Sequence, residues 1–108
     1  MADPAPEPVP ASLTEVEALI CSLPWPGEGC AKALRVSRCE STDYYAPFNG
    51  YHIGAFQISQ IHAGIFAAYG WDYYADGDDP YKSAVVALDL LTGAGGYWPR
   101  HWPVCGWR

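Results

Sequence analysis

Four cysteines in a chain of 108 residues constrain this fold more than any other feature. Cys21, Cys30 and Cys39 follow one another at nine-residue steps, and Cys105 stands far downstream. That spacing matches no zinc module. An even number of cysteines in a short chain reads instead as two disulfides in an exported domain. Four cysteines allow three pairings, and spacing alone selects none of them. A chain this short is one domain, with no room for a second core.

Half of the residues are apolar, which places the chain among globular proteins. The formal net charge is −6, and no basic run exists to neutralise phosphates. Nucleic acid is therefore excluded as a partner, and so is an anionic membrane surface. The apolar stretches are too short to span a bilayer. Five Trp and eight Tyr exceed what a small core needs, so some of these rings are expected to face a ligand.

Residues 2–11 alternate Pro with small or acidic residues, the pattern of an extended, polyproline-like segment. Met1 leads straight into this segment, with neither a basic start nor an apolar middle. Either a leader has been replaced by the start codon, or export uses another route such as phage release or lysis. The folded domain is expected over 12–108. Ser12 and Glu15 form a capping-box pattern ahead of a helical apolar face made by Leu13, Val16, Leu19 and Ile20. Prolines and glycines between Ser22 and Gly29 interrupt it. A second helix is predicted from Ala31 to Cys39 or Glu40. Tyr51 to Ser59 reads as a strand, half of a small hairpin whose turn includes Asn49-Gly50. A third helix follows from Gln60 to Tyr69, stopped by Gly70. A fourth starts at Asp79-Pro80 and runs to Gly93, with Asp as cap and Pro at the first helical position. Gly95 to Arg108 reads as irregular. The sum is an α+β, mostly helical domain with several short helices and one small β-element.

Glu40 is the leading candidate for chemistry. It stands at a helix C-terminus, where the dipole disfavours negative charge, and apolar or aromatic neighbours are expected around it. Both effects hold a carboxyl protonated toward neutral pH, as a general acid requires. Residue chemistry alone leaves a second reading open, a solvated carboxylate at a helix end. Other constellations are weaker. Asp72, Asp76, Asp78 and Asp79 lack the ordered spacing and terminal Glu of a calcium loop. His52, His62 and His101 are scattered along the chain, and no metal site or cofactor is expected from them. Ser41 has no Asp-His pair arranged for nucleophilic chemistry.

Four segments, taken in order, resemble the lysozyme-like superfamily, especially its lytic transglycosylase and actinobacterial or phage transglycosylase-like branches. Ala33-Leu34-Arg35-Val36-Ser37-Arg38-Cys39-Glu40-Ser41 is similar to the helix that ends in that family's catalytic Glu. Gly54-Ala55-Phe56-Gln57-Ile58-Ser59 is similar to its strand motif. Asp79-Pro80, with Ser83 and the apolar run after it, resembles a later helix. Gly95-Gly96-Tyr97-Trp98-Pro99 with Cys105 resembles the closing segment. The resemblance implies a lysozyme-like fold, with a small β-hairpin flanking a saccharide cleft. It implies Glu40 as the acid that protonates the glycosidic oxygen. Ser41, Gly54, Gln57, Tyr97 and Trp98 would bind substrate, and His52, on the same strand as Gln57, would border the cleft with them. Gln57 would hydrogen-bond the sugar, Gly54 would let the backbone approach it, and Tyr97 and Trp98 would stack on its rings. It further implies disulfides Cys39 to Cys105 and Cys21 to Cys30.

The chain departs from the family in two ways that bear on mechanism. Where two-carboxylate lysozymes place an Asp before the strand Gly, this chain reads Tyr51-His52-Ile53. Asp43, the nearest acid after Glu40, reads as a turn residue. Ser83 also stands where many members carry Asn. The expectation is a monomeric, secreted or phage-associated enzyme acting on peptidoglycan strands. It would cleave the MurNAc-β-1,4-GlcNAc bond with one Glu and give 1,6-anhydro products. A hydrolytic lysozyme and a non-catalytic cell-wall or chitooligosaccharide-binding module are the rival readings.

Overall fold

The computed structural model describes residues 13–108, so the proline-rich segment and the Ser12 cap lie outside the described residues. Helix α1 spans Leu13–Cys21 and buries Val16 and Ile20. Helix α2 spans Cys30–Glu40 and buries Ala33, Val36 and Ser37, spaced three and four apart along one face. A 3-10 turn at Gln60–His62 leads into α3, Ala63–Ala68, which Gly70 follows at φ 81°. Helix α4 is a single turn, Tyr73–Asp76, and α5 spans Pro80–Gly93. Asp79 caps α5 as its sequence predicts, accepting from the Lys82 N–H at 3.0 Å, with Pro80 at the first position. The tail holds two short 3-10 turns, Trp98–Arg100 and Cys105–Trp107. The described fold is therefore α+β and mostly helical. None of its helices is long and apolar enough to cross a membrane.

The expected strand over Tyr51–Ser59 is corrected. It is two strands of two residues each, β1 at His52–Ile53 and β2 at Ile58–Ser59, paired antiparallel with His52 opposite Ser59. The hairpin turn is Gly54-Ala55-Phe56-Gln57, closed by the Gln57 N–H donating to the Gly54 carbonyl at 3.0 Å. Asn49-Gly50 instead precedes the first strand. There the Asn49 side-chain oxygen accepts from the backbone N–H groups of Tyr51 and His52, a local turn that launches β1.

Aromatic rings fill much of the core. Trp25 stacks on Phe56 and on Trp98, each at a centroid distance of 5.6 Å. Trp102 closes the cluster from the C-terminal segment. The Trp25 indole donates to the Ile20 carbonyl and that of Trp102 to the Phe56 carbonyl, so neither buried N–H is orphaned. Tyr73 is buried as well, donating to the Ile58 carbonyl, and burial pushes its phenol up to about 12. Most of the Trp surplus is thus structural, while Tyr51, Tyr74, Tyr97 and Trp107 remain exposed.

Both disulfides carry the implied pairing, Cys21 with Cys30 and Cys39 with Cys105. The first closes the loop that holds Trp25. The second ties the end of α2 to the end of the chain, 66 residues away.

Candidate functional site

The end of α2, the hairpin turn, the start of α5 and the C-terminal segment meet at one place. Ser37, one turn before Ser41, is fully buried, and its hydroxyl donates to the Ala55 carbonyl at 2.7 Å. Ser83, on the first turn of α5, is equally buried, and its hydroxyl oxygen accepts from the Phe56 N–H at 3.3 Å. The Trp102 indole reaches the Phe56 carbonyl at 2.7 Å. The turn between the strands is therefore held by a side chain from each of three elements. The Cys39–Cys105 bridge fixes two of those elements to each other. Buried polar groups satisfied in this way specify one arrangement of the elements around them.

Glu40 is the last residue of α2 and is partly buried. Desolvation holds its carboxyl above the usual carboxylate range, and no charged neighbour contributes to the shift. The cations nearest in sequence are committed elsewhere. Arg38 donates to the Glu17 carboxylate and to the Tyr44 hydroxyl, both at 2.8 Å. Arg35 pairs with Glu28 and donates to the Arg108 carbonyl at 3.0 Å. The Glu40 carboxylate has no hydrogen-bond or ion-pair partner among the described residues. A half-buried acid that nothing neutralises is equipped to give and take a proton.

Strained backbone follows this acid in sequence and recurs in the hairpin turn. Among the described residues, the non-glycine residues at positive φ are Asp43 at 51°, Tyr44 at 70° and Gln57 at 48°. Asp43 and Tyr44 form the two central positions of a tight turn, bridged by Thr42 and Tyr45. Tyr44 is held there by burial and by its hydroxyl contacts with Glu17 and Arg38. Such conformations cost on the order of 1–3 kcal/mol each and gather at functional sites. Asp43 stands exposed within the turn.

The other expected site residues separate into groups. Gln57 ends the hairpin turn; its amide donates to the Gly54 carbonyl at 3.1 Å and its oxygen accepts from Asn49 at 3.3 Å. His52, on β1, lines a small depression together with Gln57, Ser59, His62, His101 and Trp102. The fold thus collects all three histidines, scattered in sequence, at one depression. The His62 and His101 rings stand edge to face with centroids 5.5 Å apart. Burial lowers the pKa of both, helped by their proximity at His62 and by Arg100 at His101. No group of three or more His, Cys, Asp or Glu among the described residues is arranged to hold a metal ion.

Three of the expected residues also carry structural contacts. Gly54 is buried, and a Cβ on it would fall 2.0 Å from the Gly77 carbonyl oxygen. Its missing side chain admits a neighbouring stretch of the protein backbone. The Trp98 ring is 6% exposed and stacked on Trp25, and the residue borders the groove that also holds Tyr97. The Ser41 hydroxyl donates to the Ser37 carbonyl at 2.7 Å and finishes the helix. Tyr97 is exposed and lines a groove with Pro26, Glu28, Lys32, Trp98 and Trp107, apart from the depression that holds His52 and Gln57. The aspartates also resolve into structural roles. Asp72 and Asp79 cap helices, Asp76 pairs with Lys82, and Asp78 accepts from the Ala46 N–H.

Sequence reading missed Ser37, Ser83 and Trp102 as the groups that hold the turn. Ser37 carried a legible signal, since it lies four residues after Ala33 on the apolar face of α2. A hydroxyl at a core position needs a buried partner.

Comparison with protein-family models, curated proteins and solved structures finds no match to this chain.

Proposed function

We propose that this chain is a lysozyme-like glycosidase that cleaves the MurNAc-β-1,4-GlcNAc bond of peptidoglycan, with Glu40 as its proton-transfer group. The observation that carries the reading is the Glu40 carboxyl itself. It is half-buried, raised by desolvation and unpaired, at a helix end bonded to a strained hairpin turn. In the family that the sequence resembles, these are the acid and the turn that face the sugar.

The missing second carboxylate favours transglycosylation over hydrolysis. The hairpin presents His52 and Gln57, and neither can serve as the nucleophilic carboxylate of a retaining hydrolase. Glu40 protonates the glycosidic oxygen as the bond to the muramyl C1 breaks. The resulting carboxylate then takes the proton of the substrate's own C6 hydroxyl while that oxygen attacks C1. The products are a free 4-hydroxyl on one fragment and a 1,6-anhydro ring on the other. No water is consumed, and Glu40 ends protonated as it began. Gln57 keeps one amide hydrogen beyond its bond to Gly54 and can offer it to an N-acetyl oxygen. Two disulfides agree with action outside a reducing compartment, and a monomer suffices for a site built from one chain.

Mass spectrometry of fragments released from purified peptidoglycan tests this proposal. Anhydro ends, lighter than reducing ends by one water, are the expected result. Reducing ends would replace transglycosylation by hydrolysis at the same acid. An unchanged polymer would remove catalysis and leave a binding module.

A further inference from the structure

The groove that holds Tyr97 lies at the opposite end of α2 from Glu40. Lys32 is the third residue of the helix and Glu40 its last, a span of about 12 Å along the axis at 1.5 Å per residue. The groove has a volume of about 320 Å³ and is lined by Pro26, Glu28, Lys32, Tyr97, Pro99 and Trp107, among others. Tyr97 and Trp107 are 54% and 68% exposed and stand edge to face at 6.1 Å. A small domain whose core already encloses three Trp rings gains no packing from leaving a fourth in solvent beside a hollow.

We infer that this groove is a second saccharide site, holding a glycan strand of N-acetylated sugars away from the point of cleavage. Its chemistry matches a neutral, hydroxyl-rich ligand. The exposed aromatic surface of Tyr97 and Trp107 suits the apolar C–H face of a pyranose. The Lys32 ammonium has no hydrogen-bond or ion-pair partner among the described residues and is free to donate to hydroxyl or acetamido oxygens. Glu28 uses Oε1 on Arg35, leaving Oε2 to accept from a hydroxyl. One acid and one base leave the lining without the excess of either charge that a polyanion or polycation would need. Gly27 and Gly96 keep the walls low: a Cβ on the first would meet nothing within 4 Å, and on the second only the Pro26 ring at 3.9 Å.

The groove is also preorganised. The Cys21–Cys30 bridge closes the loop carrying Pro26 to Glu28, and the Cys39–Cys105 bridge anchors the turn carrying Trp107. Arg35 clasps both walls, pairing with Glu28 and donating to the Arg108 carbonyl. Walls fixed before binding cost little entropy to order. The identity of the polymer rests on the function proposed above, whereas binding in the groove does not.

Titration of the full-length Glu40→Gln protein with chitotetraose, followed by NMR, tests the inference without turnover. Saturable shifts of the Trp107 indole N–H and the Tyr97 ring are expected, together with about tenfold weaker binding in a Glu40→Gln, Trp107→Ala protein. Tyr97→Ala provides a second variant, since neither exposed ring supports the core. Absence of binding, equal affinity in both variants, or groove signals that answer only to a polyproline peptide would overturn it. Wild-type protein that binds through the groove but releases no fragments from peptidoglycan would remove the proposed function and leave this inference standing.

Discussion

At one end of α2, Glu40 is left without a partner while Arg38 is held by Glu17 and Tyr44. At the other end, Glu28 is held by Arg35 while Lys32 is left without one. Each end therefore pairs most of its charge and keeps one group unspent. The surroundings differ. Glu40 sits half-buried at the end of the helix whose Ser37 helps to fix the hairpin turn with Ser83 and Trp102, and the strained Asp43-Tyr44 turn follows it in sequence. Lys32, also partly buried, borders an open groove that Tyr97 and Trp107 line as well. Desolvation raises the Glu40 carboxyl, which suits the proton-transfer role proposed for it, whereas Lys32 at a groove edge suits the hydrogen-bonding role inferred for it. The comparison teaches that one helix keeps an unpaired acid at one end and an unpaired base at the other, both partly buried, and that their neighbours set them apart.

The two disulfides sharpen this contrast most strongly. Cys39–Cys105 closes 66 residues and Cys21–Cys30 closes nine. In the chain-entropy account, replacing the first pair by Ser costs about 4 kcal/mol and the second about 3 kcal/mol. Denaturant melts of the two double variants should preserve that order. Gly54→Ala comes next. A Cβ there would meet the Gly77 carbonyl oxygen at 2.0 Å, on a backbone at φ 86°. A loss of about 3 kcal/mol is expected by the same melts, larger than for Gly27→Ala at the groove, where the strained φ is the sole obstacle. Ser37→Ala removes the partner of a buried carbonyl and should cost about 1–3 kcal/mol, with activity falling as the turn loosens.

The smallest effect concerns pH. Burial raises the folded Glu40 carboxyl above its ordinary value of 4.5, so the folded chain holds this proton longer than the unfolded one. Stability from this group is complete below about 4.5 and is lost as pH rises through the folded value. Glu40→Gln should therefore melt at a higher temperature than wild type at pH 7, and the gap should close near pH 4. A gap that stayed constant with pH would break the burial argument.

Much of the helical frame was legible. Asp79-Pro80 announced α5 and the apolar spacing announced α1 and α2, because caps and periodicity act locally. The hairpin was misplaced because its turn uses Gln57 at positive φ, a conformation that Gln does not advertise. Asn49-Gly50 drew the turn to itself, yet Asn49 served to launch β1. Helix α4 went unseen, since four residues capped by Asp72 are too few to show a period. At the site, Glu40 was readable as an acid at a helix end. That Tyr97 and Gln57 line different hollows was not, because long-range packing sets which surfaces adjoin. Trp98 was ambiguous for the same reason: an amphipathic ring serves a core or a ligand equally well, and this one stacks on Trp25 at the border of the Tyr97 groove.

The most direct measurement compares release of soluble fragments from purified cell walls by wild-type protein and by Glu40→Gln, with folding matched by circular dichroism. The proton-transfer role predicts a fall of at least about a hundredfold in the variant, whose fold is unchanged. Wild-type release by a folded Glu40→Gln protein would contradict the assignment of this carboxyl as the catalytic acid.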